Sequence, residues 1–173
     1  YKPLAEDDRP AIIALVQLYK KLYMVVAALV FVISLIIYPF LAKIMKDSGN
    51  ASYITIIYFI FVAKNIVSYL NAHKWSLINS DQKGYILYKY NLRFNIGTYI
   101  IKILVLQFTK NYVLYIIIEF IISLIQTVWN GSIVNKHYPY IKTHKKYVVE
   151  KKIKSNLFTN VKAIMFHNIG GYI

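Results

Sequence analysis

Apolar residues along the chain gather into long runs, parted by short polar or basic stretches, and the runs have helical rather than strand lengths. Residues 22–41 carry no charge over twenty positions, enough for a helix to cross a hydrocarbon core. Ser34 is the strongly polar member of that run, and Pro39 lies near its end. Ahead of it, 1–10 is polar and turn-like, with Glu6, Asp7 and Asp8 before Pro10, acids and a proline placed as at a helix start. From Ala11 the pattern is amphipathic: Ile12, Ile13, Leu15, Val16 and Tyr19 alternate with Gln17, Lys20 and Lys21. This predicts a helix lying on the membrane surface or leading into it. After a loop at 43–50, residues 53–72 form a second span, apolar except for Lys64 near its middle. A mixed segment follows at 73–93, with a turn at Asp81-Gln82-Lys83-Gly84. Residues 92–108 and 112–129 predict a third and fourth span across the very short Thr109-Lys110-Asn111. A basic connector then leads to 157–173, apolar again and containing Gly170-Gly171, a pair that permits close helix contact. The expected fold is all-α, a polytopic helical membrane protein with four complete spans and the start of a fifth. Its segments are a lead-in at 1–21, a four-helix membrane part at 22–130, a cytoplasmic connector at 131–156 and the next span from 157. A chain running from Tyr1 to an apolar Ile173 is expected to be an internal piece of a longer protein.

The polar residues inside these runs recur at helical spacing. Lys64, Ser68 and Asn71 share one face, with Asn65 adjoining; Asn91, Asn95, Thr98 and Lys102 share another; Glu119, Ser123, Gln126, Thr127 and Asn130 a third. Lys102 and Glu119 both lie eight or nine residues from the 109–111 turn. At roughly 1.5 Å per residue they stand about 13 Å below the same surface. A charge at that depth costs about 2.5–3.5 kcal/mol, so it takes a partner or a wet cavity. One reading is a structural Lys102–Glu119 ion pair that locks the hairpin. The other is a polar path through the membrane, and three consecutive charged stripes favour it. Such a cavity has more positive than negative charge, from Lys64, Lys102 and Arg93 against Glu119, with Asn65 and Asn95 beside them. It would favour an anionic ligand, which lysine meets as a point charge without fixed geometry. Against this, Lys64 could snorkel, although it lies about nine residues from the nearer end of its span.

Composition sharpens the picture. The chain is 58% hydrophobic, above the roughly 45–50% of soluble domains. A net charge of +14 would suggest nucleic acid in a soluble protein. Here the basic residues fill the gaps between apolar runs, and arginine occurs only at Arg9 and Arg93, so no nucleic-acid partner is expected. Lys2, Arg9, Lys20 and Lys21, the four basic residues of 73–93 and the eight of 130–162 make sixteen on alternate sides against three, Lys43, Lys46 and Lys110. By the positive-inside rule the basic segments are cytoplasmic and the 109–111 turn faces outside. Tyr53, Tyr112 and Trp129 at span ends suit the interface, although seventeen tyrosines scattered at random explain them nearly as well. There is no cysteine. No nucleophile motif, P-loop or metal-spaced cluster stands out, and His73, His137, His144 and His167 lie in or near basic segments. The chain is therefore not expected to be an enzyme or to hold a metal or cofactor.

Several short stretches, in order, resemble one family: Tyr1-Lys2-Pro3-Leu4-Ala5-Glu6, Asp81-Gln82-Lys83, Thr109-Lys110-Asn111-Tyr112, Tyr138-Pro139-Tyr140, and Phe158-Thr159-Asn160-Val161-Lys162-Ala163 leading to Ile169-Gly170-Gly171. Together they look like the polysaccharide-repeat-unit flippases (Wzx-like) of the multidrug/oligosaccharidyl-lipid/polysaccharide exporter superfamily. No one of these motifs is specific; their order and spacing cover nearly the whole chain. The resemblance implies a multi-pass protein of the bacterial inner membrane, with two bundles opening alternately to either side. This chain would supply spans three to six of the N-terminal bundle, the connector, and the start of span seven. The implied cargo is an oligosaccharide on undecaprenyl pyrophosphate, moved to the outer leaflet for polysaccharide assembly. Lipid bilayer, polymerase and other assembly proteins would be its partners. Family members often have an uncharged residue at Lys64 and Lys102, so those two sites are read from this chain alone. The alternatives are a multidrug exporter of the same superfamily, which should show excess intramembrane acids, and a membrane enzyme of polysaccharide assembly, which should place catalytic residues in its outer loops.

Overall fold

The computed structural model describes residues 2–45, 51–149, 153–157 and 159, and these are helical with short connections and no strands. Residues 158 and 160–173, nearly all of the expected span from 157 and including Gly170-Gly171, lie outside the described residues, as do the loop residues 46–50. After a single turn, α1 (Lys2–Ala5), the chain enters one continuous helix, α2 (Arg9–Met45). The Asp8 carboxylate accepts from the Ala11 amide at 3.1 Å, and Pro10 sits in the first turn, where its missing N–H leaves no bond unmade. The amphipathic lead-in therefore runs straight into the apolar span.

The next helices are α3 (Ala51–Leu70), α4 (Ala72–Ser80), α5 (Tyr85–Thr109) and α6 (Tyr112–His137). Asn71 breaks α3 from α4, and its side-chain nitrogen donates to the Thr127 carbonyl at 2.7 Å. At the α5–α6 turn, Lys110 adopts a left-handed conformation, φ 50°, and closes α5 onto Leu106. The Asn111 side chain then caps α6 by accepting from the Val113 and Leu114 amides, the role for which asparagine is preferred. α6 continues to His137, into the stretch that composition marks as connector, because Ile133 and Val134 pack on the core at this end. A 3-10 turn, Pro139–Lys142, follows.

Two hairpins, α2–α3 and α5–α6, join across α3 and α6, and α4 lies against α2, α3 and α6. This brings the start of α2, the turn between α4 and α5, and the end of α6 to one end of the molecule. The buried core sits there, built from Ile12, Val16, Leu77, Ile78, Leu87, Val134 and Tyr138. The Tyr138 hydroxyl donates to Asp81 at 2.6 Å, and Lys83 pairs with Asp81 at 2.7 Å. Burial and the Asp81 carboxylate push the Tyr138 hydroxyl pKa up. Gln17 on α2 bonds the Lys145 carbonyl and the Tyr147 amide, which lays the basic connector along the same end. Lys43 and Lys110 lie at the other.

Away from this end the outer surface is apolar. Leu29, Val32, Ile36 and Phe40 of α2 and Ile121, Ile125 and Val128 of α6 are exposed, as suits a lipid-facing wall. Among the described residues, three helices are long and apolar enough to cross a membrane: Arg9–Leu41, Tyr53–Leu70 and Tyr112–His137. α5, at 25 residues, is nearly as long as the 26-residue α6, but Lys89, Asn91, Arg93, Asn95 and Lys102 lower its hydropathy below theirs.

Candidate cationic cavity

Three helices meet at one carboxylate. Glu119 of α6 lies between Lys64 of α3 and Lys102 of α5. Its Oε1 pairs with the Lys64 ammonium, and its Oε2 accepts from Lys102 Nζ at 2.5 Å. The helix register explains the meeting. α5 and α6 run antiparallel from a tight turn, so positions equidistant from it fall level. α3 packs on the other side of α6 and delivers Lys64 to the remaining oxygen.

The Lys102 side chain is 11% exposed, that of Glu119 24% and that of Lys64 36%, so the cluster is closed at Lys102 and opens toward Lys64. Lys102 Nζ also stands 4.3 Å from the centre of the Tyr115 ring, whose electron-rich face attracts a cation. Two ammonium groups share one carboxylate, which leaves one net positive charge.

These side chains line a cavity of about 230 Å³, with Asn95, Thr98, Ser123 and Gln126 completing its polar wall. A second cavity of about 670 Å³ adjoins it and shares Asn95 and Gln126. Ser68, Asn71, Asn91, Thr127 and Asn130 line the second. Every residue of the three polar stripes thus faces one or the other. The two cavities run from the charged cluster toward the basic end of the bundle.

Not every candidate joins them. Asn65 is exposed, and its side-chain nitrogen donates to the Phe61 carbonyl of its own helix. Arg93 is exposed and lines neither cavity; it lies two residues from Asn91, on a different face of α5. In the other direction, Tyr99 and Tyr115 beside Lys102, and Tyr23, Trp75, Asn79 and Tyr88 around the larger cavity, do not emerge from the stripe pattern. The one signal for them is Trp75 and Asn79, one turn apart on α4.

At the basic end His73 is buried and its Nδ1 has no partner among the described residues. Burial, then the charges of Lys74 and Lys20, push its pKa down to about 4, so it is neutral at physiological pH. Comparison with known protein families, curated proteins and solved structures finds no match.

Proposed function

We propose that this chain forms part of a membrane transporter that flips an undecaprenyl-pyrophosphate-linked oligosaccharide from the cytoplasmic to the outer leaflet. The observation that carries the reading is the convergence of Lys64, Lys102 and Glu119 on one polar cavity, with Lys64 and Glu119 on two helices that are long and apolar enough to cross a membrane. A buried structural pair needs one cation for one carboxylate. Here a second cation is held at the same carboxylate, with an open side and an adjoining polar cavity, an arrangement suited to an anion that arrives and leaves.

In this reading α5 is a fourth span, its polar face turned to the interior, and the basic end faces the cytoplasm. The four helices belong to one bundle of a two-bundle protein of the bacterial inner membrane. The pyrophosphate competes with Glu119 for the two ammonium groups, and Glu119 takes them back when the cargo departs. Transport then follows from differential binding of the anion to the two access states.

The test uses the protein reconstituted in vesicles with a fluorescent lipid-linked oligosaccharide. Wild type is expected to move the lipid between leaflets, and Lys64→Ala or Lys102→Ala to abolish transfer while still inserting and folding. No transfer by wild type, under conditions where a working flippase transfers, would overturn the proposal. Unimpaired lysine variants would remove the cationic cavity from it.

A further inference from the structure

The larger cavity differs in chemistry from its neighbour. Amide and hydroxyl side chains from α3, α4, α5 and α6 line it, and among the described residues no charged side chain does. Its volume, about 670 Å³, lies within the roughly 300–1,000 Å³ range of small-molecule sites. The amides are also arranged unevenly. Asn91 Oδ1 accepts from both Gln126 Nε2, at 2.8 Å, and Asn130 Nδ2, at 2.7 Å. Asn130 is only 2% exposed, yet its Oδ1 has no partner among the described residues. That oxygen is closed off from the cavity, so the groups open to a ligand are the amides of Asn79, Asn95 and Gln126. Trp75 and Tyr88 add aromatic rings to the same wall. Such rings pack on the C–H faces of pyranoses while amides bond the hydroxyl edges.

We propose that this cavity binds a neutral, hydroxyl-rich sugar ring. The inference rests on the transport reading in one respect: because Asn95 and Gln126 line both cavities, the bound ring is the one next to the pyrophosphate held at Lys64 and Lys102. A uronate there would bring a carboxylate into a chamber with no cation to meet it. The cargo is therefore specified as neutral at its first sugar.

The test follows Trp75 emission in a Trp129→Phe background, which leaves one tryptophan of the two in the chain. The protein in lipid nanodiscs is titrated with N,N′-diacetylchitobiose and with a uronate-containing disaccharide. The neutral sugar is expected to shift the emission saturably and the acidic one to bind at least about tenfold more weakly, about 1.4 kcal/mol. Gln126→Leu is expected to weaken the neutral sugar about tenfold. Tyr88→Ala, at a ring 66% exposed and thus removable without opening the core, is expected to do the same. Absence of a neutral-sugar response, equal binding of the uronate, or wild-type binding by both folded variants would overturn the proposal. Sugar binding without leaflet transfer would uphold the site and remove the transport reading. Leaflet transfer without sugar binding would do the reverse.

Discussion

Replacing Glu119 by leucine tests the shared carboxylate, because it strips two cations of their partner at once. The cost divides by exposure. Lys102, with its side chain 11% exposed, carries nearly the full mid-membrane charge penalty of about 2.5–3.5 kcal/mol. Lys64, 36% exposed, is taken to be hydrated through the open side of the cavity and then adds only the roughly 0–1 kcal/mol of a solvated pair. The contact of Lys102 with Tyr115 is present before and after the change and cancels. Glu119→Leu should therefore destabilise by about 3 kcal/mol, roughly a hundredfold in the folding equilibrium. Lys102→Leu should cost only about 1 kcal/mol, since Glu119 keeps Lys64 and the variant loses one charge-assisted bond and one ring contact. Combining the two changes removes the stranded Lys102 and should recover about 2 kcal/mol of the Glu119→Leu loss. The assay is reversible unfolding in mixed micelles, followed by circular dichroism and tryptophan emission, with the three variants side by side. A Glu119→Leu protein no less stable than Lys102→Leu, or a double variant as unstable as Glu119→Leu, would refute the shared-partner reasoning.

Two further outcomes follow from the basic end. The pKa of His73 is lowered from an ordinary 6.5 to about 4, so the unfolded chain takes up a proton that the folded chain refuses. Its contribution is complete above about pH 6.5 and is lost as pH falls toward 4, on the order of 3 kcal/mol in all; His73→Gln should flatten that part of a stability–pH profile, and an unchanged profile would contradict the assignment. At Gly131 an added Cβ would stand 2.7 Å from Asn71 Nδ2. Gly131→Ala should displace the amide that joins the α3–α4 break to Thr127, lowering the midpoint of thermal unfolding by an amount equivalent to about 1–2 kcal/mol; unaltered unfolding would show that the side chain relaxes freely.

The chain discloses its helices and its polar faces more readily than the way those faces meet. Spacing of 3.6 residues is enough to place Ser68 with Lys64 and Asn95 with Lys102, because each relation lies within one helix. The short turn at 109–111 sets the register of α5 against α6, and so the level of Lys102 against Glu119. That Lys64 reaches the same carboxylate depends on how α3 slides against α6, which no local pattern encodes. Asn65 illustrates the limit: a neighbour in sequence turns about 100° around the helix, and this one bonds back to Phe61 instead of facing the cavity. Arg93 fails for the same reason beside Asn91. α4 is short and weakly patterned, so its independence from α3, and the aromatic wall that Trp75 contributes, became visible only in three dimensions. α5 shows the converse effect, since the polar residues that bring it to the cavity also lower its hydropathy below that of the three helices apolar enough to cross a membrane.

If Lys64, Lys102 and Glu119 line a water-filled, anion-accepting cavity inside the membrane, its wall is open to water-borne reagents while the outer helix surface is not. The natural absence of cysteine makes single-cysteine labelling in vesicles the direct test, with a charged thiol reagent that cannot enter lipid. Ser123→Cys, on the cavity wall, should react and should be protected by pyrophosphate. Ile103→Cys, beside Lys102 in sequence and 64% exposed on the apolar surface, should stay unlabelled in the bilayer. Labelling at Ser123 with pyrophosphate protection, and none at Ile103, is the predicted result; a silent Ser123→Cys in folded, inserted protein would contradict the account.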